Sequence, residues 1–436
     1  MTNKTKCKSN MNSLFRLSAT EAAIKIACGE ISSESLIRAC LDRIKLRDGQ
    51  VRAWQFLDAE TAIREARARD KQEPVGPLHG VPVGIKDVIA TRQMPTGYGS
   101  PIFDGQYSTE DAKCISLLVR AGAIILGKTV TAEFATYKPG PTTNPLSPEH
   151  TPGGSSSGSA AAVADYQIPI ALGTQTAGSI IRPASYCGII GFKPTKPRYD
   201  DSGVIETSPH LDTLGIFARS VDDIALVDSV LGADSGKQMK APQTPTIGVC
   251  QTNVWDQASA DMQRALATTA KALEAAGATV VKVKLPELFS GLPEAQRKIH
   301  AREVYQALSS VWREHPDQIS DALVNMLSIG MEMSQQVYDS ALALQRRCQA
   351  ESETAFGSVD CLLTPGATGV APRGLQATGD PAFNRTWTAL GAPCLGFRAA
   401  TVAGLPLGLQ LVGRPGEDSR LIGIGEWAVQ QLANNV

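Results

Sequence analysis

The chain has 436 residues, and its 42 lysines and arginines against 43 aspartates and glutamates leave a net charge of −1. Acidic and basic residues are mixed along the chain, which argues against a nucleic-acid-binding protein, because such proteins concentrate basic residues on one face. No stretch is apolar over the roughly 20 residues that a membrane-spanning helix needs, so no interaction with a membrane is expected.

Cysteines and histidines form no recognisable metal or disulfide pattern. The nine cysteines are scattered without a CxxC pair and are odd in number, which favours reduced thiols in a cytoplasmic protein. The five histidines form no HxxxH pair, so no metal site is expected. The polar segment 1–12 has no apolar run after it, which predicts a flexible N-terminal tail rather than a signal peptide.

In the first third of the chain, apolar periodicity predicts helices and strands in alternation. Helices are predicted over 32–44, 59–70 and 109–120, and strands over 81–89 and 123–126. In the first of these strands Val81, Val83 and Ile85 alternate with smaller or polar residues, as in a strand with one packed face. Lys86 ends this strand on the face opposite the apolar set.

Beyond residue 200 the pattern again predicts alternating elements. An irregular stretch over 204–215 leads into a helix over 220–231. Strands are predicted over 246–250, 279–283, 361–364, 395–400 and 407–412, with helices over 259–276, most of 294–357, and from 417 onward. The strand–helix–strand pattern and the helices after it predict a lobe at about 245–357 beside the main sheet.

The segment from Thr151 to Thr195 concentrates glycine, serine and small apolar residues. Two serine-bearing turns, Gly153–Gly158 and Thr176–Ser179, bracket a small-residue helix and an apolar strand. A Gly/Ser linker would continue in polar low complexity, whereas these intervening residues can pack. This alternation of turns and regular elements is typical of the floor of an α/β active site.

The segment from Gly153 to Thr195 resembles the amidase signature family almost without gaps, and Leu78–Asp87 is similar to the family's lysine-bearing strand. The resemblance extends over most of the chain. It implies an α/β fold with one large mixed, mainly parallel β-sheet flanked by α-helices, in a single domain over 13–436. Within the family, Gln175–Pro183 and Thr378–Trp387 are most similar to malonamidase-type enzymes.

The resemblance implies that Lys86, Ser155 and Ser179 form a catalytic triad. Ser179 would attack the amide carbonyl, while neutral Lys86 would accept its proton through Ser155. A lysine can act as this base only when burial lowers its pKa by several units, and Asp87 must then point elsewhere. The resemblance also implies a cis peptide bond between Gly154 and Ser155.

The turn before Ser179 would stabilise the oxyanion of the transition state. The family resemblance assigns this role to the backbone amides of Thr176, Ala177 and Gly178, together with that of Ser179. The commoner family pattern is Asp-x-Gly-Gly-Ser, so Gln175 and Ala177 depart from it.

Arg182 also lies one position later than the arginine of many members. In malonamidase-type members the matching arginine holds the carboxylate of the substrate, because a guanidinium can pair with a carboxylate bidentately. The resemblance therefore implies an amidohydrolase that cleaves the C–N bond of a small, carboxylate-bearing amide through an acyl-enzyme. It would need no metal or organic cofactor, and a homodimer is a family-level expectation.

Two other functions remain open within the family. One is a glutamine-hydrolysing amidotransferase subunit that supplies ammonia to a partner protein. The shifted arginine and the C-terminal stretch argue against this function. The other is a catalytically silent paralogue, against which the presence of Lys86, Ser155 and Ser179 argues.

Each site residue also has a purely structural interpretation. Lys86 could be a solvated lysine at a strand end, Ser155 a loop serine, and Ser179 a helix N-cap. Arg182 could instead pair with a buried acid. Only the joint pattern of these residues favours catalysis.

Two further motif matches are present. Gly154–Gly158 matches the G-x-S-x-G nucleophile elbow with Ser156 at its centre, but no strand precedes it and no histidine follows His315, which argues against an α/β-hydrolase esterase. Gly122–Thr129 matches the phosphate-loop formula, but its four middle residues are predicted to form a strand rather than a turn.

Overall fold

A computed structural model describes residues 11–232 and 239–434. Residues 1–10 of the predicted N-terminal tail lie outside the described residues. A 3-10 helix over Met11–Arg16 begins the described chain. Further 3-10 helices span Pro101–Phe103, Glu133–Ala135, Trp255–Gln257 and Glu287–Gly291.

All eleven strands of the described residues belong to one sheet. In chain order they are β1 (Trp54–Leu57), β2 (Pro82–Lys86), β3 (Ile124–Thr129), β4 (Ile170–Gln175), β5 (Ile190–Lys193), β6 (Thr213–Ala218), β7 (Thr246–Cys250), β8 (Thr279–Val283), β9 (Cys361–Pro365), β10 (Cys394–Val402) and β11 (Leu405–Val412).

The strands lie in the order β1-β3-β2-β4-β6-β5-β10-β11-β9-β7-β8. This arrangement confirms the prediction of one large mixed α/β sheet. Among the described strands four neighbouring pairs are parallel and six are antiparallel, so parallel pairing is confined to β3-β2-β4 and to β9-β7-β8. The predicted lobe at about 245–357 contributes β7 and β8 to the edge of this same sheet.

Fourteen α-helices in the described residues flank the sheet. They are α1 (Ala19–Ala27), α2 (Ser33–Val51), α3 (Ala59–Arg69), α4 (Lys113–Arg120), α5 (Ser157–Ala164), α6 (Ile181–Cys187), α7 (Val221–Leu231), α8 (Ala260–Ala275), α9 (Leu292–Glu314), α10 (Asp321–Glu332), α11 (Gln335–Ala350), α12 (Glu353–Phe356), α13 (Ala382–Ala389) and α14 (Asp418–Asn434). No helix in these parts of the chain is long and apolar enough to cross a membrane.

Serine side chains begin several of the predicted helices. The hydroxyl groups of Ser32 and Ser220 accept hydrogen bonds from backbone amides in the first turns of α2 and α7. Such N-caps satisfy amides that have no partner inside the helix. The polar pattern of the sequence therefore located these helix starts correctly.

Helix α5 packs against the sheet more closely than larger side chains would permit. A Cβ atom on Gly158 would lie 2.2 Å from the carbonyl oxygen of Ala53 and 2.4 Å from the amide nitrogen of Val130. All residues of α5 up to Val163 are buried. The small residues of the central segment thus let the start of α5 lie against the chain just before β1 and just after β3.

Candidate active site

Lys86 lies at the end of β2, in the interior of the sheet between β3 and β4. Its side chain is fully buried. Its Nζ atom lies 2.8 Å from Ser155 Oγ and 2.7 Å from Thr174 Oγ1, at the end of β4. The structure therefore brings together Lys86 and Ser155, as the sequence motif predicts, and adds Thr174 as a second hydroxyl partner.

Burial lowers the pKa of Lys86 to about 7, although the negative charge of Asp212 opposes this shift. Burial has this effect because it disfavours the charged ammonium. The adjacent carboxylate of Asp87 turns away, as expected, to pair with Lys128 at 3.3 Å and to accept the amide of Gly97. A substantial fraction of Lys86 is therefore neutral at pH 7, the state in which it can accept a proton.

Ser155 is almost completely buried and lies just before α5. The Gly154–Ser155 peptide bond is cis, as the family resemblance implies. The backbone carbonyl of Ser155 accepts the amide of Ala132 at 3.0 Å, which fixes the residue next to Lys86. The Ser155 hydroxyl is thus free to exchange a proton with the lysine on one side.

Ser179 lies in the turn between β4 and α6 and is 7% exposed. Within the described residues its hydroxyl makes no hydrogen bond, so the predicted link from Ser155 to Ser179 is not formed in this structure. Neither does Ser179 cap α6, because that helix has no side-chain cap at its start. An unpaired hydroxyl at the surface of a buried site is suited to contact a substrate.

The carbonyl groups of the turn before Ser179 are held by neighbouring side chains. The Thr176 carbonyl accepts Gln296 Nε2 at 2.9 Å, and the Ala177 carbonyl accepts Thr388 Oγ1 at 2.8 Å. In the described part of the chain, the amides of Ala177, Gly178 and Ser179 have no backbone acceptor. These N–H groups are therefore available to an oxyanion.

Gln175 performs a structural task that does not require the charge of the aspartate commoner in the family. Its Oε1 accepts the amides of Ile180 at 2.9 Å and Ile181 at 3.1 Å. Its Nε2 donates to Thr388 Oγ1 at 3.0 Å. The neutral amide thus braces the turn and the first amides of α6 at the same time.

Arg182 projects from α6 and is buried. Its Nη2 donates to the Gly154 carbonyl at 2.6 Å and to Thr378 Oγ1 at 3.1 Å, while Nε and Nη1 have no partner among the described residues. Burial lowers the pKa of Arg182 to about 10. No described acid forms a salt bridge with it, so the guanidinium next to the Gly154–Ser155 peptide is positively charged and only partly satisfied.

Sequence reasoning missed Thr174 and Asp212. The carboxylate of Asp212 accepts the Thr176 hydroxyl and, at 2.8 Å each, the amides of Thr207 and Ser208. Asp212 thereby connects the turn before Ser179 to the start of β6. Because Asp212 lies 36 residues from Thr176, no local pattern in the sequence could have identified this contact.

The structure does not support the two further motif matches. Ser156, the centre of the apparent nucleophile elbow, is fully buried, and its Oγ donates to the Thr174 carbonyl at 3.1 Å. The middle of the apparent phosphate loop lies within β3, and its Lys128 is buried against Asp87. Neither segment presents the groups that its motif requires.

A buried lysine that donates a hydrogen bond to a serine of a glycine–serine turn, on one mixed sheet, is the arrangement expected of the amidase class. The Amidase family model matches residues 35–422, and the chain belongs to this family.

Two relatives with similar sequences are subunits of glutamyl-tRNA(Gln) amidotransferase. The one from Chloroflexus aggregans is 32% identical over 95% of this chain and 96% of its own length. The one from Carboxydothermus hydrogenoformans is 30% identical over 94% of this chain and 96% of its own length.

A solved structure also shares this fold over nearly the whole chain. A crystal structure described as an amidase has a TM-score of 0.88 and 30% identity, and covers 95% of this chain and 100% of its own. The two bacterial relatives carry the names of amidotransferase subunits rather than of malonamidases. The family is therefore established, while the malonamidase-type likeness stays a prediction.

The pH dependence of activity should reflect the ionisation of the Lys86 side chain. The predicted role of the neutral Lys86 amine as the base implies that kcat/KM rises with pH through an apparent pKa near 7. Asp212→Asn should move this inflection to lower pH, because the carboxylate raises the pKa of Lys86. Both profiles can be measured from ammonia release in buffers of constant ionic strength. An inflection at the same pH in both proteins would show that another group controls the rate.

Proposed function

We propose that this protein hydrolyses the C–N bond of a small amide that also carries a carboxylate. The observation that carries this proposal is the 2.8 Å contact between the buried Lys86 Nζ and Ser155 Oγ. The low pKa of the lysine and the free amides of the turn before Ser179 supply two further requirements of acyl transfer, a base and an oxyanion site.

The reaction would proceed in two halves. Ser179 Oγ forms a bond to the amide carbon as its proton passes to Ser155, whose own proton passes to Lys86. The C–N bond then breaks, and the nitrogen leaves as ammonia or an amine after taking a proton back from the Lys86–Ser155 pair. Water next attacks the Ser179 ester, with the same pair accepting its proton. The bond between the acyl carbon and Ser179 Oγ then breaks, the pair returns the proton to Ser179 Oγ, and the carboxylic acid is released.

Arg182 supports the assignment of a carboxylate to the substrate. Its guanidinium is buried beside the Gly154–Ser155 peptide, and two of its nitrogen atoms lack acceptors among residues 11–232 and 239–434. A charged hydrogen bond to a ligand carboxylate would satisfy them, and such bonds are stronger than neutral ones. Arg182 also braces the Gly154 carbonyl, so its replacement should affect both substrate binding and the position of Ser155.

A second candidate function is supported by the relatives. The two bacterial proteins are named as glutamyl-tRNA(Gln) amidotransferase subunits and match this chain along almost its whole length. This similarity favours glutamine, itself a carboxylate-bearing amide, as the source of ammonia for a partner protein. The two functions share the Ser179 chemistry and differ in the substrate and in the need for a partner.

We expect Ser179-dependent ammonia release from acidic amides, and the substrate panel should separate the two functions. The panel comprises malonamate, ureido acids, glutamine and neutral amides, tested with the purified protein alone. Arg182→Gln should raise KM for acidic amides by at least about tenfold, since it removes one charged hydrogen bond, and should change KM for neutral amides little.

An equal increase in KM for acidic and neutral amides would contradict the role of Arg182 in binding a carboxylate, whereas an equal fall in kcat would reflect its contact with the Gly154 carbonyl. Release from glutamine only after a co-purifying protein is added would favour the amidotransferase function. Light scattering of the same sample tests the expectation of a homodimer.

A further inference from the structure

Several buried polar side chains around the turn before Ser179 have atoms without a hydrogen-bond partner in the described part of the chain. Within the described residues, the unpaired atoms include Arg182 Nε and Nη1, both ring nitrogens of His300, Asn384 Oδ1 and Arg385 Nε. They come from three helices, α6, α9 and α13. Folded proteins leave few buried polar atoms unpaired, because each costs free energy. Their concentration at one place indicates that these groups meet a ligand.

Arg385 reaches the turn before Ser179 through one intermediate side chain. Its Nη1 donates to Gln296 Oε1, and Gln296 Nε2 donates to the Thr176 carbonyl at 2.9 Å. The helix that carries Arg385 also touches the turn directly, since a Cβ atom on Gly178 would lie 2.4 Å from Asn384 Oδ1. Arg385 is therefore a second buried arginine, linked through Gln296 to the turn before Ser179, and only 5% of it is exposed.

The charges at this place are predominantly positive. Burial lowers the pKa of Arg182 to about 10, and the charge of Arg385 contributes to the shift, so Arg182 remains charged at pH 7. Burial and the charge of Arg385 lower the pKa of His300 to about 3, which leaves its ring neutral. The acid that acts on Arg182 is Asp380, which is exposed. Neither guanidinium forms a salt bridge with a buried acid among the described residues, and two such buried charges are costly unless a ligand supplies negative charge.

We propose that Arg182 and Arg385 form a subsite for a substrate with two carboxylate groups, one for each guanidinium. This inference rests on the proposed hydrolysis of acidic amides and narrows it to dianionic ones. An ammonium group on the substrate, as in glutamine, would face two positive charges and is disfavoured. Asn384 Oδ1 and the neutral His300 can accept hydrogen bonds from the N–H groups of the amide.

The test uses small dicarboxylates, which have no amide bond to cleave and can therefore be titrated into the wild-type protein. Malonate, succinate and glutarate are compared with acetate and propionate by calorimetry at constant ionic strength. We expect at least one dicarboxylate to bind at least tenfold more tightly than either monocarboxylate. Arg385→Gln should weaken dicarboxylate binding by tenfold or more and monocarboxylate binding by less than twofold.

Two further variants complete the experiment. Arg385→Lys keeps the charge and should retain a large part of the dicarboxylate affinity, which separates loss of charge from loss of fold. Arg346→Gln, on the exposed face of α11, is the matched control and should have no effect.

Equal weakening of mono- and dicarboxylates by Arg385→Gln would overturn the proposal, because both arginines would then hold a single group. Unchanged binding of dicarboxylates in Arg385→Gln would overturn it as well, and would leave Arg385 as a support for Gln296. These results do not depend on turnover. Failure of the proposed function, in contrast, would appear as absence of Ser179-dependent ammonia release even where the dicarboxylates bind.

Discussion

Ser179→Ala is expected to lower amide hydrolysis by about 10⁴-fold or more, because removing a nucleophile leaves only the rate supplied by binding and by the oxyanion site. The Ser179 hydroxyl makes no hydrogen bond to the described residues and is 7% exposed, so its removal leaves no protein group unpaired. The melting temperature should therefore stay close to that of the wild type. Both quantities can be measured on one preparation, from ammonia release and from thermal unfolding.

Ser229→Ala is the matched control for this experiment. Ser229 is exposed on α7, away from the site, and its replacement should change neither activity nor melting temperature. Substrate binding to Ser179→Ala should persist, since the hydroxyl is needed for bond formation rather than for affinity. Hydrolysis that continues in Ser179→Ala at the wild-type rate would contradict the proposed acyl-enzyme and point to a different nucleophile.

Lys86→Met should reduce kcat by about 10²- to 10⁴-fold, the usual contribution of a general base. Methionine is long and unbranched, so it can occupy much of the space of the lysine without a titratable group. Because the lysine is fully buried, its replacement removes a costly polar group from the interior, but it also leaves the hydroxyls of Ser155 and Thr174 without this hydrogen-bond donor. These two effects oppose each other, so we expect the melting temperature to change little while activity is lost.

Lys128→Met provides the contrasting control, because Lys128 is equally buried in the neighbouring strand but pairs with Asp87 at 3.3 Å. Its removal leaves a buried carboxylate without its counter-ion, which costs about 3–5 kcal/mol. Lys128→Met should thus lower stability strongly, whereas Lys86→Met should lower activity strongly. A Lys86→Met protein that retains near-wild-type kcat would show that the proton passes by another route.

The strand over Thr246–Cys250 and the helix over Val221–Leu231 agree with the expectations from sequence, because alternation and capping are local properties. The short strand Trp54–Leu57 and the helix Ala382–Ala389 were not predicted. The polar residues of this helix, among them Asn384 and Arg385, are buried together with its apolar ones, so it lacks the solvent-facing side that is typical of a surface helix. The predominance of parallel pairing was expected from the family and is not what the strand order shows.

By itself, the sequence determined the family, the three proposed catalytic residues and the direction in which Asp87 had to turn. These conclusions rest on a long local motif and on one chemical requirement: a lysine that acts as a base must not be paired with a neighbouring carboxylate.

Only the tertiary structure brought Thr174, Asp212 and Arg385 to the site. Asp212 contacts a residue 36 positions away, and Arg385 contacts one 89 positions away. Contacts over such separations depend on how the sheet and helices pack, and no periodicity within one segment encodes them.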